Sequence, residues 1–161
     1  MRNIILSTFL ILLFITGAKS QSVNDFITKY KDDPSFTVVN ISPKMFSLIS
    51  GLEAEDMDPD LKAALQNITG MKILTKESDG TKYFSEAISS IELNKMEELM
   101  SVKEENSNVR IFGKNNGKDA LSEVILLTGD KESFVLMQIT GAISLQQLSK
   151  LSGTLTPPGS N

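Results

Sequence analysis

Residues 121–140 read Leu121-Ser-Glu-Val-Ile-Leu-Leu-Thr128-Gly-Asp-Lys-Glu-Ser-Phe134-Val-Leu-Met-Gln-Ile-Thr140. Two runs in this stretch, Val124–Leu127 and Phe134–Met137, are continuously apolar, and Gly129-Asp130 stands between them. A short apolar run bounded by turn residues reads as a strand covered on both faces. Gly-Asp tolerates the positive φ that a tight hairpin needs. The two runs are therefore expected to be antiparallel neighbours near the centre of a sheet. Upstream, Asn115-Asn116-Gly117 joins this pair to Val109–Lys114, and Asn106-Ser107-Asn108 joins that segment to Leu99–Glu104. Residues 99–140 thus read as a four-stranded antiparallel meander.

The first half of the chain alternates helical and β patterns. Val23, Phe26, Ile27 and Tyr30 fall at i, i+3, i+4 and i+7, the spacing of a short amphipathic helix that Asp32-Asp33-Pro34 closes. Phe36–Ile41 is β-rich. Ser42-Pro43 starts a second helix with a capping hydroxyl and a proline at its first position, and Gly51 is placed to end it. Asp58-Pro59 starts a third helix with Leu61, Ala64, Leu65 and Ile68 inward and Gly70 as its stop. Met71–Thr75 reads as a strand, followed by an Asp79-Gly80 turn. Tyr83, Phe84, Ala87, Ile88 and Ile91 repeat at helical spacing, and Asn94 with Glu97 resembles a capping box for one more short helical segment. At the far end, Ser144 and Gln147 form a capping box, Ile143 and Leu148 sit at the positions of a hydrophobic staple, and Leu151 continues the inward face. A C-terminal helix packed back on the sheet is the expectation, with Gly141 as the tight link into it and residues 152–161 as a disordered tail.

The N-terminus has the pattern of an export signal. Arg2 precedes an apolar stretch from Ile4 to Ile15, and Ala18-Lys19-Ser20 offers small residues before Gln21. The run is shorter than the ~20 residues that span a bilayer, so cleavage after residue 20 is expected, with no stable membrane span afterwards. Residues 21–151 then form one α+β domain, exported to the periplasm or secreted. Of the 16 basic and 20 acidic residues, cleavage removes Arg2 and Lys19, leaving 14 basic against 20 acidic.

Composition excludes several chemistries. The chain of 161 residues has no His, Cys or Trp. A Ser-His-Asp triad, a cysteine nucleophile, a disulfide framework and a His/Cys zinc site are ruled out. The net charge of −4 argues against a nucleic-acid binder, which needs a basic surface.

Three stretches carry a family resemblance: Leu99-Met100-Ser-Val-Lys103 leading to Val109-Arg-Ile-Phe112, then Glu123–Leu127, then Phe134–Gly141 followed by Ile143–Leu148. Together with the signal-like N-terminus they resemble a bacterial family, domain of unknown function 4252. The resemblance implies export in Gram-negative bacteria and assigns no catalytic residues. Many members look like lipoproteins, and this chain, lacking Cys, departs from that pattern.

Candidate sites are few. Asp56, Asp58 and Asp60 have the alternate spacing that opens a calcium loop, but Leu61 stands where that loop needs Gly and Asn67 where it needs Glu. The simpler reading is a helix N-terminus, which favours acids. Ser149-Lys150 and Thr81-Lys82 are adjacent pairs, which do not face each other on a helix. Lys103-Glu-Glu105 is a solvated stretch rather than half of an acid pair. Asn67-Ile-Thr69 matches a glycosylation sequon at a helix end. The expected architecture is a mostly antiparallel sheet of five or six strands with helices on one face. The expected function is non-enzymatic, without cofactor, metal or catalytic residues, through a protein or envelope partner that meets the outer face of the meander or its edge strand. The alternative is a small apolar ligand or lipid carrier with a cavity lined by Phe84, Ile88, Phe112 and Phe134.

Overall fold

The computed structural model describes residues 21–52, 58–117 and 120–144. The elements are α1 (Val23–Tyr30), β1 (Thr37–Ile41), α2 (Pro43–Leu52), α3 (Pro59–Asn67), β2 (Ile68–Lys76), α4 (Gly80–Ser90), a 3₁₀ turn (Leu93–Lys95), β3 (Glu97–Lys103), β4 (Ser107–Asn115), β5 (Ala120–Asp130) and β6 (Phe134–Ser144). The six strands form one open antiparallel sheet in the order β1-β2-β6-β5-β4-β3. The fold is α+β. The meander is present as β3 to β6, and the two continuously apolar runs occupy the two central strands, β6 and β5.

Helices cover both faces of the sheet, not one. On the first face, Val23, Phe26, Ile27 and Tyr30 of α1 and Phe84 and Ala87 of α4 share a buried cluster with Leu74, Phe112, Ile125, Leu127, Phe134 and Leu136. On the second, Phe46 of α2 joins Ile68, Leu121, Val124, Ile139 and Ile143, with Leu65 of α3 packed against them. Strand residues of the two clusters alternate, as side chains of a strand must. An apolar run longer than the period of two supplies residues to both sides, and each side then requires its own cover.

The first core is aromatic. Tyr30 and Phe36 stack at 4.4 Å between ring centroids, and Tyr83 meets both edge-on. Lys76 lies buried over Phe36 and Tyr83 and donates to Ser35 Oγ at 2.8 Å. Ser22 and Asp25 form the capping box of α1. Gln21 hydrogen-bonds to Ser90 and Glu92, which ties the start of α1 to the end of α4. Between these helices, Lys29 Nζ and Tyr30 Oη both donate to Glu86 Oε1, at 2.6 and 2.5 Å.

Several local expectations shift. Gly51 lies inside α2, and α3 ends at Asn67, so Gly70 falls within β2. The chain turns into β2 early because Ile68 fills the second core. Asp79, in the left-handed region at φ 52°, precedes α4 rather than making a free turn. A side chain at Gly80 would meet the Ser133 carbonyl oxygen at 1.7 Å, so glycine lets α4 start directly on the β5–β6 hairpin. That hairpin turns at residues 131–133, where the Asp130 carboxylate accepts from the Glu132 and Ser133 amides, and Gly129-Asp130 belongs to β5. Asn94 and Glu97 make no capping box. The 3₁₀ turn has no side-chain cap, and Glu97 opens β3.

The largest correction is at the C-terminus. Gly141, Ile143 and Ser144 belong to β6, which runs four residues past Thr140. Gly141 pairs with Ile68 at φ 152°, where a Cβ would stand 2.2 Å from the Asn67 carbonyl oxygen. Ile143 is buried in the second core at 2 % exposure, and its expected staple partner Leu148 lies outside the described residues. The expected helix over 145–151, the tail 152–161 and the signal segment 1–20 lie outside the described residues.

Two measurements check these cores. Phe134 is fully buried among Phe26 and Tyr83, so Phe134→Ala is expected to lower unfolding stability by about 3–5 kcal/mol in urea titration. Burial acts to raise the Glu86 carboxyl, but its bonds from Lys29 and Tyr30 outweigh that and hold it below its ordinary value. A depressed carboxylate stabilises the fold above the ordinary glutamate range, near pH 4.3, and that contribution is lost as pH falls through the folded value. Glu86→Gln is expected to be less stable than the parent at pH 7. The gap should close as both are taken below pH ~4 in thermal melts.

Candidate functional site

The side chains of the second sheet face fall into rows that cross all six strands. The first row is Ile41, Met71, Ile139, Val124, Gly113 and Glu97, each paired with the next. Among the described helices, α2 and α3 stand over β2 and, for α3, β6 at this end of the sheet. The second row is Val39, Ile73, Met137, Leu126, Ile111 and Met100. The third is Thr37, Thr75, Val135, Thr128, Val109 and Val102. None of these twelve positions is charged, and none is fully buried. Val39, Met100 and Val102 are 39–43 % exposed. An antiparallel sheet can leave one face in water, but that face is then normally polar.

Two other surface features accompany these rows. Helix α2 buries Phe46 and leaves Met45, Leu48 and Ile49 exposed, at i, i+3 and i+4 on one side of the helix. Both lateral strands, β1 and β3, are sheet edges, with main-chain groups on one side unpaired within the sheet. A shift of register between Glu98 and Met100 bends β3 and sets Leu99 over Gly113, where a side chain at 113 would meet its Cδ1 at 2.8 Å.

The polar hollows lie on the other face or its rim. A cleft of about 320 Å³ is lined by Asn24, Asn40, Lys72, Gln138 and Thr140, among others. Two of its groups pair with each other, Lys72 Nζ donating to Asn24 Oδ1 at 2.6 Å, while Gln138 Nε2 donates outside it to Glu123 Oε1 at 2.6 Å. A shallow groove of about 300 Å³ runs beside Ile88, Met96, Glu98, Arg110 and Phe112. There Arg110 pairs with Glu98 and lies 4.8 Å over the Phe112 ring. The Arg110 bond holds the Glu98 carboxyl below its ordinary value.

The residues singled out from sequence disperse over the fold. Asp56 lies outside the described residues. Asp58 caps α3, its carboxylate accepting from the Asp60 and Leu61 amides at 2.8 and 3.2 Å, and Asp60 stands in the first turn. Among the described residues no three carboxylates converge on a common point. Thr81 and Lys82 are on α4, with Lys82 over the Tyr83 ring. Ser149 and Lys150 lie outside the described residues. Asn67 closes α3, while Thr69 is in β2 and donates to Thr140 Oγ1 at 3.2 Å. Lys103 ends β3, and Glu104 and Glu105 follow it, exposed, in the turn to β4. Phe84, Phe112 and Phe134 are buried in the first core, with Ile88 half-buried against it. The sequence pointed to the outer face of the meander or its edge strand without naming the residues of these rows. Their signal was the run of alternate apolar residues in β3 and β4, but which side of each strand would be left uncovered depends on where the helices lie.

The described structure defines a single-sheet α+β domain whose most distinctive surface is apolar and uncharged. The chain belongs to the family described as domain of unknown function (DUF4252), whose model matches residues 30–151. Neither a curated protein nor a solved structure matches the chain. Among the described residues no helix is long and apolar enough to cross a membrane.

The capping role of Asp58 is open to test. Asp58→Ala is expected to lower stability by about 1 kcal/mol, equally in millimolar calcium and in chelator. A loss seen only with calcium would mean that the carboxylate serves a cation instead.

Proposed function

We propose that this chain is a non-enzymatic module, exported to the periplasm or secreted, that works by docking its open sheet face onto a protein or envelope partner. The observation that carries this reading is the row Val39–Ile73–Met137–Leu126–Ile111–Met100, uninterrupted by charge from one edge of the sheet to the other. Apolar surface in water is costly at about 25 cal/mol per Å². Monomeric proteins seldom leave more than a few hundred Å² of it contiguous unless it serves a contact. Two of the six side chains are methionines, whose flexible thioethers adapt to the shape of what they meet. Export is supported by the arrangement of Arg2, the apolar stretch Ile4–Ile15 and Ala18-Lys19-Ser20.

A second reading, a carrier of a small apolar ligand, draws on the open groove where Ile88 and Phe112 lie together. The two readings use opposite faces, so substitutions separate them. Met100→Lys and Val102→Lys, both at exposed positions, are expected to keep the folded spectrum. They should reduce at least tenfold the recovery of envelope components in affinity capture, while Ile88→Lys leaves that recovery intact. Equal recovery by all three variants and the parent would count against the open face.

A further inference from the structure

We infer that the occupant of the open sheet face is a second copy of this chain, an inference that rests on reading that face as a docking surface. Its shape is self-complementary. Within each strand the second-row residue is as large as its third-row neighbour or larger: Ile73 beside Thr75, Met137 beside Val135, Leu126 beside Thr128, and likewise along β1, β3 and β4. The second row is a ridge and the third a trough. A twofold axis lying between two facing sheets, parallel to the rows and midway between them, sets the ridge of each copy into the trough of the other. Ile73 then stands over the second copy's Thr75 and Met100 over its Val102. A twofold contact uses one patch on both copies, and this patch carries its own complement.

The vertical space fits as well. Sheets stack about 10 Å apart, in the same layer that α2 and α3 occupy over the first row. Among the described helices only α2 and α3 pack on this face, through Phe46 and Leu65, in one cluster with the first-row residues Met71, Val124 and Ile139. Charge at the patch does not oppose a like partner. The chain carries −4 overall, yet its twelve ridge and trough positions hold no ionisable group, so two copies bury no charge against each other. Two rows across six strands give roughly 400 Å² of sheet per copy at ~4.8 Å between strands. That is the size of a weak, transient contact, and a reversible dimer with Kd on the order of tens of micromolar is expected.

Sedimentation equilibrium of the purified protein between about 2 and 200 μM reads this directly, a range that brackets the expected affinity. The parent is expected to show a monomer–dimer equilibrium, and Met100→Glu to weaken it at least tenfold. Val102→Lys alone should weaken it similarly, whereas mixing the two variants should restore a heterodimer, because position 100 of one copy faces position 102 of the other. Val38→Lys, exposed on the opposite face, should leave the equilibrium unchanged. A parent that remains monomeric at 200 μM overturns the inference, whether the face is then covered by residues 145–161 or by a different protein. A dimer indifferent to Met100→Glu overturns it too, as does failure of the mixture to recover. If the parent is monomeric but Met100→Lys still abolishes envelope capture, the docking reading stands and only self-association falls.

Discussion

The pairing of β2 with β6 joins the two halves of this chain. Its partners lie 58 to 73 residues apart, from Lys76 with Phe134 to Ile68 with Gly141. Closing so long a loop costs conformational entropy that grows only slowly with length, and the register that results carries residues of both cores. Leu74 opposite Leu136 is fully buried on one side, and Met71 opposite Ile139 lies on the other. Through this contact the hairpin-like pair β1–β2 becomes an extension of the meander, and the sheet reaches six strands. Every row that crosses the sheet passes through it.

The two faces that this pairing creates differ in how completely they are covered. On the first, α1 and α4 close an aromatic core and are fastened to each other by Glu86 and by the bridge at Gln21. On the second, the described helices reach only the first row. The second row is wholly apolar and the third mixes valine with Thr37, Thr75 and Thr128, and both are partly in contact with water. This difference makes the second face the surface with the most to gain from a contact, and the proposals for function and self-association both follow from it.

Chemistry on the first face is of another kind. Lys76, Lys72, Gln138 and Arg110 are engaged in hydrogen bonds or ring contacts with neighbouring side chains. Such pairings are what partly buried polar groups require. They hold strands and helices in place, and Lys72 ties β2 to Asn24 of α1 at the cleft.

Sequence by itself determined the local elements: the amphipathic helix Val23–Tyr30, the Asp58-Pro59 start, the meander, and the central place of the two continuously apolar strands. Each follows from periodicity, capping or turn chemistry acting over a few residues. It did not determine that β6 runs through Gly141 to Ser144, since the burial of Ile143 and the pairing of Gly141 with Ile68 join residues far apart in the chain. Nor did it determine that helices would lie on both faces, or that two apolar rows would be left open. A row is made of residues from six strands far apart in the chain, and only their registers bring Val39 and Met100 into one line. Whether that line is covered depends on where α2 and α3 come to rest, which is a property of packing rather than of any local pattern.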